Sequence, residues 1–272
     1  MTENVGGEAA VEPEYDEAAI RFLAVMWGEG YLSPGGPAEV DRVLSGIDLA
    51  GRDVLDFGCG AGGITLHIAR TCRPASIVGY DVEQPVIDRA RAAAAVQGFS
   101  SIARFVSGLP GRLPFDDGEF DVVFSKDAMI HVPDKEALFE ELFRVLKPGG
   151  VLAASDWLIG HDGEPSVDMK DYIAAEGLHF GMASPLRYLR AMAAAGFVHA
   201  AAESRNAWYR DVARSELERL KGPLYAEAVA AVGEAYVEKN IRTWTAMQKV
   251  LDSGEHCPAH LRASKPAPGV RP

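Results

Sequence analysis

From residue 54 onward the chain alternates short apolar runs with amphipathic stretches. Residues 54–57, 76–80, 120–125 and 151–155 are compact apolar runs of strand length. Between them, 64–69, 85–96 and 135–146 carry apolar residues at helical spacing. Such alternation predicts an α/β domain with a parallel sheet and helices on both faces. Upstream, Ile20, Leu23, Ala24 and Trp27 recur at helical spacing before a glycine-bounded turn, and 37–47 predicts a short helix. Lys147-Pro148-Gly149-Gly150 predicts a stop before Val151, because proline cannot continue a helix and glycine supplies the left-handed turn. Ser184-Pro185 predicts the start of a helix running to Ala195. The stretch between the strand at 151–155 and this helix is too long for a plain connection and is expected to be an insertion over a site. Two amphipathic stretches, 212–220 and 225–251, follow, and no internal repeat is visible.

Composition narrows the class. The chain has 272 residues, 48% hydrophobic and 24% charged, the balance of a globular protein. Its formal net charge of -12 is the wrong sign for displacing phosphate counterions, so nucleic acid is not an expected partner. No apolar stretch reaches bilayer length and the N-terminus is acidic, so neither a membrane span nor a secretory signal is expected. Three scattered cysteines form no disulfide framework, which predicts a reducing, cytoplasmic setting. His256, Cys257 and His260 lie close together but lack ligand partners elsewhere, so no metal is expected.

The strongest local signal is VLDFGCGAGG, where Gly58, Gly60 and Gly63 satisfy G-x-G-x-x-G between a strand and a helix. That spacing alone suits nicotinamide, flavin and S-adenosylmethionine (SAM) sites. Asp56 separates them: a carboxylate beside the loop repels a pyrophosphate, whereas the sulfonium and ammonium of SAM are positive. Asp81, about twenty residues past the loop, is placed to take both ribose hydroxyls. The plainer alternative has Asp56 capping a turn and Asp81 as a solvated loop acid.

On these residues the sequence resembles the seven-strand SAM-dependent methyltransferases over about residues 15–200. Residues 54–63 look like that family's first motif, and FDVVFSKDAMIHVPDKEALFEELFRVLKPGG like its fourth strand, following helix and closing turn. The resemblance implies a Rossmann-like sheet of seven strands with helices on both faces, an N-terminal helical lid and an insertion after the fifth strand. The domain layout it suggests is a disordered tail at 1–12 and a SAM-binding core at 13–206 with its substrate insertion at 157–183. A helical and strand completion at 207–261 and a flexible tail at 262–272 follow. Many relatives carry an acid near Ser107-Gly108-Leu109 for the adenine amino group. Gly108 has no side chain, leaving its backbone with Leu109 and Val82 to hold adenine.

Two segments resemble the phosphoethanolamine N-methyltransferases: GEGYLSPGG at 28–36, a strap that folds over SAM and contains Tyr31 and Ser33, and SKDAMIHVPDKEALF at 125–139. The resemblance implies that Asp127 contacts the methionine end of SAM and that His131 pairs with Tyr15. Such a pair suits amine methylation, since a protonated amine cannot attack a methyl group until its proton is taken. His131 satisfied by backbone and Tyr15 as an apolar anchor are the plainer alternatives.

The resemblance breaks at the acceptor. Trp157 stands for a family tyrosine, Tyr172 matches one, Leu178 replaces another, and Glu176 replaces the family's phosphate-binding arginine. Lys239 matches a phosphate-reaching lysine loosely. If Glu176 faces the pocket, the acceptor should be less anionic or carry a second positive group. If Glu176 lies on the outer face, a surface position being commoner for a glutamate, Lys239, Arg242 or Arg187 can take an anionic head. Trp157, Tyr172 and Phe180 can instead wall a methylated ammonium. The expected activity is SAM-dependent methylation of a small polar amine by a monomer or homodimer, releasing S-adenosylhomocysteine. The alternatives are O- or S-methylation of a small intermediate, a SAM-binding regulator without catalysis and, more remotely, a dehydrogenase.

Overall fold

The computed structural model describes residues 15–269, so the expected tail at 1–12 lies outside the described residues. Seven strands form one sheet: β1 Asp53–Phe57, β2 Ser76–Asp81, β3 Ala103–Ser107, β4 Phe120–Lys126, β5 Leu146–Asp156, β6 Val198–Ser204 and β7 Ala259–Ser264. Their order is β3-β2-β1-β4-β5-β7-β6, parallel from β3 to β5, with β7 antiparallel to both its neighbours. The four strands expected from apolar runs are β1, β2, β4 and β5, and three of them form the middle of the parallel part. Each is buried on both faces, which is why it reads as an unbroken apolar run.

Ten helices flank the sheet among the described residues. Those around the site are α1 Glu17–Trp27, α2 Gly36–Val43, α3 Gly63–Cys72, α4 Gln84–Gln97 and α5 Lys135–Val145. They continue as α6 Val167–Glu176, α7 Pro185–Ala195, α8 Asn206–Lys221, α9 Tyr225–Val232 and α10 Glu234–Ser253. Ser184 caps α7 by accepting the amide hydrogen of Arg187, as Ser-Pro predicts. The insertion carries α6, which packs on α10, while α1 packs on α9 and α10 through Phe22. Apolar side chains on the two sheet faces form two cores, and a third joins α1, α6, α8 and α10 over the carboxyl ends of the strands.

Lys147–Gly150 follows the end of α5 with Gly149 at φ +83, as the Pro-Gly-Gly stop predicts, and forms the irregular start of β5, whose pairing with β4 shifts register between Phe120 and Val122. Two expectations need correction. The tail does not begin at 262: Arg262, Ala263 and Ser264 pair with Ala153, Leu152 and Val151 inside the sheet. The stretch 225–251 is two helices, broken where Gly233 takes φ +88. No helix among the described residues is long and apolar enough to cross a membrane.

Candidate active site

Beyond β1 the chain turns sharply over residues 58–62 before entering α3. Gly58, Gly60 and Gly62 have φ of +74, +50 and +84, open to glycine at little cost. A Cβ on Gly58 would lie 2.1 Å from that of Ala128, so β4's loop leaves room only for hydrogen there. The amides of Gly58 and Cys59 donate to the Tyr80 carbonyl, and that of Gly60 to Asp81 Oδ2 at 2.9 Å. The turn is therefore tied to the end of β2, with its donors directed to a carboxylate.

The segment after α1 closes over this turn. Gly63 donates to the Gly30 carbonyl at 3.1 Å, and Leu32 packs where a side chain on Gly60 would be. A cavity of about 660 Å³ lies beneath, and Tyr15, Ser33, Gly58, Gly60, Asp81, Val82, Leu109, Asp127 and His131 all line it. Nine of the residues expected at the site are thus brought together around one cavity. Val82 and Leu109 are 47% and 80% exposed, unusual for large apolar residues, and flank the Asp81 end.

Asp81 also accepts the Glu83 amide at 3.0 Å, and burial holds its carboxyl above the ordinary range. Asp127 sits at the far end on a left-handed backbone, φ +55, a strained conformation for a residue with a side chain. Its Oδ1 accepts from Ser155 at 2.7 Å, and its other oxygen from Lys126, which also donates to Ser33 at 3.0 Å. Lys126 thus links strap, strand and acid, and its burial among apolar neighbours gave the sequence no cue to its role. The acids Asp81, Glu83, Asp127, Asp134, Glu140 and Glu141 outnumber the basic liners, of which Lys126 is already paired. A cavity so lined favours a cationic ligand with an apolar ring.

His131 occupies a 3-10 turn, Met129–His131, held from below. Lys135, fully buried, donates to the carbonyls of Met129 and Val132 at 2.7 and 2.6 Å. Asp156 accepts the Ile130 amide at 3.2 Å and a short bond from Tyr188. Burial pushes Asp156 up to about 7 and Lys135 down to about 8. The imidazole itself faces the cavity with Nδ1 3.2 Å from the His179 carbonyl, and its ring lies 5.9 Å from that of Phe180.

Three expected cofactor residues are not in the lining. Asp56 is buried behind the turn, where Oδ2 accepts from Thr65 at 2.6 Å; burial, with Asp81 nearby, raises it to about 7. The turn-fixing alternative therefore describes Asp56 better than direct ligand contact. Tyr31 lies within the fields of Arg70 and Asp41, away from the cavity. Gly108 stands behind Tyr80: a Cβ there would meet the Tyr80 ring at 2.5 Å, and the Tyr80 hydroxyl donates to the Leu109 carbonyl at 2.7 Å. This packing explains why glycine occurs where many relatives have an acid.

The expected acceptor residues do not line the cavity. Trp157, Tyr172 and Glu176 belong instead to the third core, beside Phe180, Tyr209 and His256. Glu176 is turned inward and accepts from the Tyr172 hydroxyl at 3.2 Å, which corrects the outer-face placement. Burial raises it to about 7, and the charge of exposed Lys239 acts against that rise. Arg187 is engaged by Glu136. The two histidines of the 256–260 cluster are used separately: His260 bonds Glu39 at 2.7 Å, and Nδ1 of His256 lies 3.3 Å from the Leu158 carbonyl.

The strand order and the acid-tied glycine turn give this chain the fold of the class I SAM-dependent methyltransferases. Residues 55–154 match the family model described as a methyltransferase domain. The chain is similar to phosphoethanolamine N-methyltransferase 1 of Triticum aestivum, 30% identical over 243 residues, 89% of this chain and 47% of that protein. It thus spans about half the length of such relatives. A sterol 24-C-methyltransferase of Aspergillus fumigatus is 40% identical over 109 residues, 40% of this chain and 29% of that one. Among solved structures, phosphoethanolamine N-methyltransferase 2 of Haemonchus contortus, with phosphomonomethylethanolamine and S-adenosylhomocysteine, has a TM-score of 0.83 at 22% identity. The match covers 91% of this chain and 57% of that one.

Proposed function

We propose that this chain is a SAM-dependent N-methyltransferase of a small polar amine. The observation that carries this reading is the acid-lined cavity that gathers Tyr15, Asp81, Asp127 and His131 at the carboxyl ends of the strands. When bound, SAM supplies a methyl group on a positively charged sulfur. Asp81 would hold the ribose hydroxyls, Val82 and Leu109 the adenine faces, and Asp127 the ammonium of the methionine end. Gly58 and Gly60 admit the close approach, and Ser33 on the strap excludes water. Tyr15 and His131 would orient the acceptor nitrogen and accept or relay its proton. Most of the rate would come from positioning in a water-poor site.

The likeness to the sterol-methylating relative covers only 40% of this chain, so it does not decide the acceptor. Inward-facing Glu176 argues against a phosphate, because a buried carboxylate beside one would repel it. No metal, nucleic acid or membrane is part of this proposal, and the protein would act as a monomer or homodimer in the cytoplasm. The test is an amine, phenol and thioether panel incubated with SAM and read by mass spectrometry, with no transfer to nitrogen sinking the proposal. In the same assay Asp81→Ala should abolish S-adenosylhomocysteine binding, whereas His131→Ala and Tyr15→Phe should reduce turnover far more than affinity.

A further inference from the structure

Behind the cavity, the third core contains two carboxyls that have no cation of their own. Glu176 accepts only from the Tyr172 hydroxyl, and Glu216 only from Trp27 Nε1, at 2.7 Å. Among the described residues no lysine, arginine or histidine lies within salt-bridge distance of either. Each is bonded to a stacked ring: Tyr172, the partner of Glu176, lies 5.7 Å from His256, and Trp27, the partner of Glu216, lies 5.9 Å from Trp244. The Tyr209 hydroxyl, bonded only to the Met247 sulfur at 3.9 Å, lies within the fields of Glu216, Asp127 and Glu176 together. Burying carboxyls without a cation is expensive unless a ligand or a proton compensates.

A second, independent observation comes from His256. It is fully buried among Trp157, Tyr172 and Tyr209, and its Nε2 has no hydrogen-bond partner. With Nδ1 at the Leu158 carbonyl, Nε2 presents a lone pair to the cluster. The His256 lone pair, the Glu176 carboxyl and several π-faces meet around Tyr172, with Glu216 reaching the same cluster through its field at Tyr209, a set that suits an N–H-bearing or alkylated cation. The cluster adjoins the cavity through Phe180, whose ring is 5.9 Å from His131, 6.0 Å from Trp157 and 6.2 Å from Tyr172.

We propose that this acid-and-aromatic cluster receives a second cationic nitrogen of the acceptor, so that the substrate is a diamine-type compound methylated at the nitrogen nearer His131. This rests on the N-methylation reading and deepens it. Glu176 and Glu216 neutralise the remote ammonium, the rings cover its alkyl groups, and His256 accepts one of its hydrogens.

The experiment compares α,ω-diamines of three to five carbons and 3-dimethylaminopropylamine with ethanolamine, propylamine and phosphoethanolamine, using SAM and the full chain. The diamines should show a KM at least tenfold below that of the matched mono-amines. Glu176→Gln and Glu216→Gln should each raise the diamine KM at least tenfold, leaving the mono-amine KM and S-adenosylhomocysteine affinity within threefold. A preference of the unaltered protein for mono-amines or phosphoethanolamine overturns the inference while leaving N-methylation standing. Failure to methylate any amine overturns both. If a variant does not fold, the panel on the unaltered protein still decides.

Discussion

Lys135→Met tests whether the turn bearing His131 is held from beneath. The substitution keeps the length and apolar stem of the side chain but removes the ammonium that bonds the carbonyls of Met129 and Val132. Two charge-assisted bonds at about 1.5–3 kcal/mol each set the loss at about 3–6 kcal/mol. Against this, an ammonium whose pKa falls from 10.5 to about 8 is roughly 3 kcal/mol less favourable there than in water, and methionine escapes that cost. Asp156 is not left as a bare charge, because burial already lifts it to about 7 and it can keep its proton. The net destabilisation should therefore be at most about 3 kcal/mol, no more than the low end of the 3–5 typical of a broken buried pair.

The effect on function should be larger than the effect on the fold, because both lost bonds lie in the turn itself. A thermal melt should fall by no more than roughly 8 °C. The turnover number should fall 10- to 100-fold, about 1.4–2.7 kcal/mol of lost transition-state stabilisation. S-adenosylhomocysteine affinity, measured by calorimetry, should stay within about threefold, since Asp81 and the glycine turn lie on other strands. Unchanged turnover in a folded variant would refute the clamp, and an equal loss of affinity would show that Lys135 supports the whole site.

Two further outcomes follow from the same geometry. Gly63→Ala would place a Cβ 2.7 Å from the carbonyl carbon and oxygen of Gly30, so the strap should lift and S-adenosylhomocysteine affinity should fall about tenfold or more; unchanged calorimetry would mean the strap contributes nothing to binding. The second is a pH effect, since burial raises Asp56, Asp156, Glu176 and Glu216 to about 7 from 3.8 or 4.5. A carboxyl raised in the fold contributes stability that is complete below its unfolded pKa and lost as pH rises through the folded value. Melting temperature without ligand should thus fall between pH 5 and 7.5, each group contributing at most about 1.4 kcal/mol per pH unit, and Glu176→Gln should flatten the slope. A melting temperature that rises across that window would contradict the assignment.

The parallel centre of the sheet was legible in the sequence because strands buried on both faces leave unbroken apolar runs. The strands β3, β6 and β7 left weaker marks. In β6 half-buried and exposed residues alternate at the edge, and β7 carries Arg262, whose guanidinium reaches the carbonyls of Val43 and Ser45. Gly58, Gly60, Asp127 and His131 were legible as cavity residues because the glycine turn and the segment after β4 are local in sequence, and Asp81 because it ends the next strand. The proposed acceptor cluster was not, because it is assembled from α1, α6, α8 and α10. Glu216 and Tyr209 sit in an ordinary amphipathic helix, and only the fold brings them to Glu176. Lys135 was hidden for the opposite reason: a lysine at the start of a helix reads as solvated, and nothing local reports that Tyr188 lies 5.2 Å beneath it.

The glycine turn selects its ligand through what its amides already hold, and this moves the decisive acid from position 56 to position 81. A diphosphate needs free backbone donors, but those of Gly58 and Cys59 are given to Tyr80, and that of Gly60 to Asp81. Asp56 acts one layer back, bonded to Thr65 in the first turn of α3, with a carboxyl that burial keeps partly protonated near neutral pH. An amide can replace a protonated carboxyl there, because its oxygen still accepts from the Thr65 hydroxyl. Asp56→Asn should therefore leave S-adenosylhomocysteine affinity within about threefold, a change under roughly 0.7 kcal/mol. Asp81→Asn should cost about 100-fold or more, since Asp81 uses both oxygens on the Gly60 and Glu83 amides, and asparagine keeps only one of them and loses the charge that meets the ligand. If calorimetry ranks the two variants the other way, the acid beneath the turn acts on the ligand through its charge, and the division of labour between β1 and β2 argued from these contacts is wrong.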